Sequence, residues 1–270
     1  MSTAEHFLLT VGIVVYRYDF AVLQQTLISL NQAAQALHGT VQLSLLDNLE
    51  TKTNAPQLNG LIKQFPALHI QVIHVGKNLG YGASNNLAIF ASQAPYHLVL
   101  NPDCFLQADA LNNAINYLNN HPNVGLLSPA IFGEDGERHY VHRKNPTLFD
   151  LMLRSSSLPL IKNLFAQRIR AFELQDLDWS QEQNIFSPSG CCMLFRTDIV
   201  KKAKGFDPNY FLYYEDSDLG RSLQQITELK YTPDFKVTHV WDRASHKSLK
   251  MKWQMIQSGL RYLLKWGGVY

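Results

Sequence analysis

Leu8-Leu9-Thr10-Val11-Gly12-Ile13-Val14-Val15 is a short, β-branched and almost unbroken apolar run near the start of the sequence. That pattern suits a parallel strand buried on both faces. A helix follows, with Leu23, Leu27, Leu30, Ala34 and Leu37 at helical spacing, Asp19 as a capping residue and Gly39 beyond the end. Val41 to Leu46 reads as a second strand, and Leu58, Leu61, Ile62 and Phe65 mark one face of a second helix. Ile70 to Val75 reads as a third strand, Gly82 to Gln93 as a helix, and His97 to Leu100 as a strand. Leu111, Ile115 and Leu118 mark a further helix ending near His121-Pro122. Such alternation defines an α/β protein with a Rossmann-like, mostly parallel central sheet flanked by helices, and such sheets bind ligands at the carboxyl ends of their strands.

The second half is less regular. Gly133-Glu134-Asp135-Gly136 reads as a hairpin tip and Thr147 to Arg170 as helical with mixed apolar and basic character. Cys191 to Phe195 and Lys236 to Val240 read as strands, and Asp216 to Gln225 as a helix. A last helix carries Trp253, Ile256, Leu260, Leu263 and Leu264 on one face. No linker or repeat interrupts the chain, so a single domain over residues 1–270 is expected.

Composition narrows the function. With 270 residues, 46% apolar and 17% charged, the chain is neither disordered nor fibrous, and a net charge of only +2 gives no general case for nucleic-acid binding. Charge is nevertheless uneven. Between Arg138 and Arg170 there are seven Lys/Arg against one acid, and from Lys230 to Tyr270 eight against two, a local excess of six in each. Two basic surfaces suggest an anionic partner. The basic stretch also holds Leu148, Phe149, Leu151, Met152 and Leu153, a composition that fits either peripheral contact with a membrane or a packed helix with a solvated basic edge. Cys104, Cys191 and Cys192 are an odd number, and the adjacent pair is poorly placed to close on itself or to grip one metal, which fits a reduced cytoplasm. The apolar run from Phe7 to Tyr16 is far shorter than the roughly 20 residues of a membrane span, and nothing in it reads as a secretory signal.

Four clusters fall where strands end. Asp47-Asn48 presents a carboxylate and an amide suited to a pyrimidine edge, although a helix cap or Asx-turn has the same composition. Asn78-Leu79-Gly80-Tyr81-Gly82-Ala83-Ser84-Asn85-Asn86 is a Gly-rich turn opening a helix, without P-loop lysine or dinucleotide spacing, and is equally readable as a plain tight turn. Leu100-Asn101-Pro102-Asp103 delivers one carboxylate to the sheet edge, which suits Mg²⁺ or Mn²⁺ completed by substrate phosphates, or a structural turn. Gly205 to Leu219 surrounds Glu215, Asp216 and Asp218 with aromatic rings, a setting for a general base or for ordinary helix capping.

Together with Ser189-Gly190-Cys191-Cys192-Met193 and the ending Ser258 to Gly267, these motifs resemble, in order and approximate spacing over nearly the whole chain, family 2 glycosyltransferases. The likeness is greatest to rhamnosyltransferase-type members of O-antigen and capsule assembly. The resemblance implies a GT-A fold with C-terminal helices on the acceptor side, a nucleotide-sugar-binding half over 1–130 and an acceptor-binding, catalytic half over 131–270. It implies inversion, with Asp216 as base and Glu215 as its rival. Asp47, Asn48, Asn78, Gly80, Asn85, Asn101 and Arg243 would contact the nucleotide sugar, and Arg243 with Lys247 would belong to a loop closing over the diphosphate. Asp103 would hold Mg²⁺ or Mn²⁺, His239 would be a third metal ligand or a diphosphate contact, and Gly190, Cys191 and Tyr214 would line the acceptor side. Asn101 departs from the usual DxD-type motif and weakens the case for metal dependence.

The implied reaction is transfer of L-rhamnose from a dTDP donor to a lipid-linked oligosaccharide at the cytoplasmic face. UDP-hexose or UDP-N-acetylhexosamine donors, and a non-catalytic sugar-nucleotide-binding scaffold, are the alternatives. A nucleotidyltransferase fits poorly, because its first strand-helix turn should be Gly-rich and basic, whereas here it is Tyr16-Arg17-Tyr18-Asp19.

Overall fold

A computed structural model describes residues 6–51, 55–155, 158–240 and 249–267. In chain order the first elements are β1 (Leu9–Val15), α1 (Phe20–Gln35), β2 (Val41–Asp47), α2 (Ala55–Ile62), β3 (Leu68–His74), α3 (Tyr81–Ala91) and β4 (Tyr96–Leu100). Next are β5 (Cys104–Leu106), α4 (Ala110–Asn120), β6 (Val124–Phe132), β7 (Arg138–His139), α5 (Leu148–Ser155), α6 (Pro159–Leu164) and α7 (Ala166–Phe172). β8 (Gln183–Asn184), β9 (Cys192–Arg196), α8 (Thr197–Lys202), α9 (Glu215–Leu223), β10 (Glu228–His239) and α10 (Leu249–Trp266) complete it.

Among the described residues ten strands form one sheet in the order β3-β2-β1-β4-β9-β6-β10-β5, with β7 added to β6 and β8 to β10. The sheet separates two apolar layers. Leu23, Leu27 and Leu30 of α1, Leu58 and Leu61 of α2, and Leu111, Ile115 and Leu118 of α4 pack on one face. Ile89 of α3, Val200 of α8 and Leu219 and Leu223 of α9 pack on the other. β9 shows the alternation a two-sided strand requires: Cys192 and Leu194 join the first layer, Met193 and Phe195 the second. The central sheet flanked by helices is thus as expected.

Strand direction gathers one functional edge. β1 to β4 are parallel, β9 runs antiparallel to β4, and β10 runs parallel to β6 and antiparallel to β5. The carboxyl ends of β1, β2, β4 and β10 therefore meet the amino ends of β9 and β5.

Four differences from the sequence reading stand out. β6 is absent from that reading because Gly125 and Pro129 interrupt it, and only the second half of β10 is anticipated because Pro233 divides it. Both prolines lie at the register shift where Tyr231 pairs with Ser128 and Lys236 with Ala130, so their missing N–H groups fall where the ladder is irregular. The segment Thr147 to Arg170 is three short helices instead of one, with Pro159 beginning the second. In α10, finally, the apolar face is not the buried one. Ser258, Gly259 and Tyr262 turn inward, whereas Trp253, Ile256, Leu260 and Leu264 are 50–86% exposed.

Candidate active site at the sheet edge

The first strand-end turns are welded together. Asp47 is buried, with one oxygen accepting from Leu49 N at 3.1 Å and the other 3.0 Å from His74 Nδ1. Asn48 is also buried. Its amide donates to Gly80 O at 3.2 Å and Asn78 Oδ1 at 3.4 Å, and its oxygen accepts from Ser84 Oγ at 2.8 Å. Asn78 Oδ1 in turn accepts from Gly80 N at 3.0 Å. Asn48 and Asn78 thus hold the turn before α3. Asn85 lies on the buried face of α3, donates to Tyr81 O at 3.2 Å, and its oxygen faces Gly12 of β1.

Gly80 has φ +87°, and a Cβ there would overlap the carbonyl of Phe211, which accepts from Tyr81 N at 3.1 Å. Glycine is what lets the start of α3 touch the aromatic loop of the second half. Asn86 makes the same junction from the next turn, donating to Phe206 O at 2.7 Å and accepting from Phe206 N at 2.9 Å.

At the end of β4, Asn101 N donates to Cys191 O at 2.8 Å, tying the Asn101-Pro102-Asp103 turn to the start of β9. The Asn101 Oδ1 atom is buried and lacks a hydrogen-bond partner among the described residues. Asp103 Oδ1 lies 3.3 Å from His239 Nε2, and the Asp103 side chain is 30% exposed. Register places His239 directly opposite Cys104. Cys104, Cys191 and His239 consequently hold their donor atoms within 4.8 Å of one another. In the sequence only the adjacent pair Cys191-Cys192 stands out, whereas the fold pairs Cys191 with Cys104. A hydrogen bond from Cys104, assisted by His239, lowers the Cys191 thiol to about 5. Burial would lower the His239 pKa, but its bonds to Asp103 and Cys191 outweigh this and raise it to about 10.

The acidic pair opens α9. Tyr213 and Tyr214 precede it with φ of 69° and 65°, two consecutive non-glycine residues in left-handed conformation, a strain of about 1–3 kcal/mol each. Ser258 Oγ donates to Leu212 O at 2.9 Å, and Gly259 lies against the Tyr214 ring, so α10 clamps the strained segment. Asp216 is half-buried, with Oδ2 accepting from Gly190 N at 3.0 Å and Oδ1 from Ser217 N at 2.7 Å. Desolvation raises its pKa against the pull of those two N–H groups. Glu215 is buried, its Oε2 has no hydrogen-bond partner among the described residues, and burial followed by the neighbouring Asp216 charge pushes it up to about 8.

The turn Ser189-Gly190-Cys191 therefore bridges both chemistries: Gly190 reaches Asp216, and Cys191 reaches Asn101 and His239. Tyr81, which the sequence reading passed over, adds a third tie by donating its hydroxyl to Gly190 O. The fold brings together Asp103, His239, Gly190, Cys191, Glu215 and Asp216, with Gly80 and Tyr214 on the joining loops. Arg243 and Lys247 lie outside the described residues.

A GT-A fold is what this sheet defines. The chain superposes with a TM-score of 0.63 at 15% identity on a mannosyltransferase from Pyrobaculum calidifontis solved with GDP-Man and Mn²⁺, over 97% of this chain and 64% of that one. GalNAc-T7 solved with UDP, GalNAc and Mn²⁺ gives 0.66 at 13% identity, over 97% and 48%. The chain thus spans less than two thirds of either structure. Its family is also clear: the glycosyl transferase family 2 profile matches residues 10–203, and the chain belongs to that family. It is 28% identical over 230 residues to the N-acetylglucosaminyl-diphospho-decaprenol L-rhamnosyltransferase of Mycobacterium tuberculosis, covering 80% of this chain and 71% of that protein. It is 28% identical over 198 residues to rhamnosyltransferase WbbL of Escherichia coli K12, covering 69% and 70%. Glu215, Asp216 and His239 lie beyond the stretch the family profile matches.

Proposed function

We infer that the chain is an inverting, metal-assisted rhamnosyltransferase that moves L-rhamnose from dTDP-rhamnose to a hydroxyl of a polyprenyl-diphosphate-linked saccharide. One observation carries the reading: a single sheet edge holds Asp103 beside His239 and, across Gly190 and Cys191, Asp216 at the mouth of a strained aromatic loop. Rhamnose is supported by the names of both relatives, and the lipid diphosphate by that of the mycobacterial one. The whole chain acts as one domain, with residues 1–130 serving the donor and 131–270 the acceptor.

In this reading the Asp47–His74 pair reads the nucleobase. An unpartnered amide oxygen on Asn101, the Asp103 carboxylate and the His239 imidazole form a donor set that fits Mg²⁺ or Mn²⁺, with His239 giving up its proton on ligation. The cation, when bound, offsets charge on the departing diphosphate. Asp216 accepts the proton of the acceptor hydroxyl as that oxygen bonds to the anomeric carbon and the bond from that carbon to the diphosphate breaks. Glu215, kept protonated near neutrality, leaves Asp216 as the charged member of the pair.

Among the described residues no helix is long and apolar enough to cross a membrane. The lipid-linked acceptor is met from the bilayer surface, on the cytoplasmic side.

The test is release of nucleoside diphosphate from a panel of dTDP- and UDP-sugars, with Mn²⁺ and a lipid-diphosphate saccharide, with and without EDTA. Release from dTDP-rhamnose, lost with EDTA and reduced about 10²- to 10⁴-fold by Asp216→Asn, is expected. Release from a UDP-sugar alone would overturn the donor, and unchanged turnover in Asp216→Asn would overturn the base.

A further inference from the structure

The exposed apolar face of α10 is one wall of a groove whose other wall is α5. Leu148, Leu151 and Met152 face Ile256, Leu260 and Leu263 across a cavity of about 380 Å³. A second cavity, of about 200 Å³, is lined by Arg143, Lys144, Tyr213 and Ser217, and shares Leu151, Tyr214 and Met255 with the first. Ser217 N holds Asp216 Oδ1 at 2.7 Å. A path thus leads from an apolar groove, past Tyr214, to a pocket lined by two cationic side chains and by Ser217, the residue that follows the candidate base.

We propose that this path is the acceptor track: the groove between α5 and α10 takes the first isoprene units of a polyprenyl diphosphate, Arg143 and Lys144 meet its diphosphate, and the sugar hydroxyl arrives at Asp216. The proposal rests on the transferase reading above and adds the place and chemistry of its acceptor.

Order along the path singles out this occupant. A polyprenyl-diphosphate saccharide is apolar, then anionic, then hydroxylated, and the path is apolar, then cationic, and ends at Ser217, next to Asp216, in the same order. In the cationic pocket Lys144 is exposed and makes no ion pair among the described residues, while Arg143 is anchored by donating Nη1 to the Tyr140 and His142 carbonyls. The two most basic stretches, 138–170 and 230–270, supply the two walls, so an anionic membrane is attracted to the groove mouth. Outside the groove the apolar surface continues onto Trp253 and Leu264 of α10 and onto Leu160 and Leu164 of α6, which packs on α5. Those four side chains are 60–86% exposed, suited to seating against acyl chains where the lipid enters.

The experiment is co-sedimentation of the full chain with phosphatidylcholine vesicles doped with undecaprenyl diphosphate, compared with vesicles brought to equal charge by phosphatidylglycerol. Preference for the polyprenyl diphosphate of about tenfold is expected, together with its loss in Lys144→Glu and in Leu260→Glu. Both positions are exposed, so both variants should fold, and far-ultraviolet circular dichroism checks that they do. Equal retention on the two vesicle types would reduce the surface to a general anionic contact and overturn the track, as would undiminished preference in both variants. Binding is read without turnover, so selective retention with no diphosphate release from any donor would reject the transferase reading and leave the track standing. In assays with turnover, the ratio of kcat/KM for long- over short-chain acceptors should fall by about tenfold in Leu260→Glu, and an unaltered ratio would count equally against the proposal.

Discussion

Glu215 and Asp216 are adjacent, yet the fold treats them differently. Asp216 is tethered by two backbone N–H groups, whereas the Glu215 carboxyl is buried with one oxygen unpartnered. With its pKa raised from 4.5 to about 8, Glu215 keeps its proton in the folded chain at pH values where the unfolded chain has lost it. The Glu215 contribution to stability should therefore fall as pH rises through that window, by up to a few kcal/mol, and be gone above about 8. Glu215→Gln, which is neutral at every pH, should flatten this slope. Urea denaturation of both forms at the two ends of the window checks it, and parallel slopes would mean that Glu215 ionises normally. The positions of Asp103 and Gly190 at strand ends and of Asp216 at a helix start were legible in the sequence. Side-chain directions were not. Asn48 and Asn85, both expected at the nucleotide sugar, turn inward, and Tyr81 is one residue of a Gly-rich turn until its hydroxyl is seen on Gly190. The meeting of Cys104, Cys191 and His239 depends on pairing between strands far apart in sequence, which local pattern does not reveal.

Elements with clean periodicity, β1 to β4 and the helices between them, were readable because apolar runs and capping residues coincide; Asp19 accepts from Ala21 N at 2.8 Å as its position suggests. The second half hides its strands because Pro129 and Pro233 break the pattern where the ladder itself breaks. α10 misleads for another reason, since an amphipathic pattern identifies an apolar face without saying what covers it. The joint between α3 and the 205–214 loop carries a sharper consequence. Gly80 combines a left-handed backbone with a contact to Phe211 that leaves no room for a Cβ. Gly80→Ala should cost about 2 kcal/mol or more, since the contact must open in addition to the conformational strain. Because Tyr81 and Phe211 lie on the way to Gly190 and Glu215, turnover should fall further than global stability does. Chemical denaturation and kcat measured on the same preparation separate the two, and a full-rate, fully stable alanine variant would show that the joint is dispensable.

At the scale of the whole molecule, one sheet carries two sets of strand ends that meet at the β4–β9 junction and at the Asp103–His239 contact. The parallel strands β1 to β4 bring Asp47 and Asp103, and the mixed strands bring Gly190, His239 and, through α9, Asp216. This arrangement predicts that donor binding and proton abstraction separate thermodynamically. A nucleoside diphosphate with Mn²⁺ at about 100 times its Kd should stabilise the chain by about 2.7 kcal/mol, visible as a rise in Tm of roughly 5 °C or more. Asp47→Ala, which removes both the proposed nucleobase contact and the partner of His74, should lose most of that rise, whereas Asp216→Asn should keep it while losing turnover. Omitting Mn²⁺ should shrink the rise in wild type, and Asp103→Asn should make the presence of Mn²⁺ immaterial. If Asp216→Asn lost the rise as fully as Asp47→Ala, the acid would belong to donor binding and a different group would have to take the acceptor proton. If Asp47→Ala kept it, the nucleotide would sit elsewhere on the edge, and the parallel half of the sheet would not be the donor half.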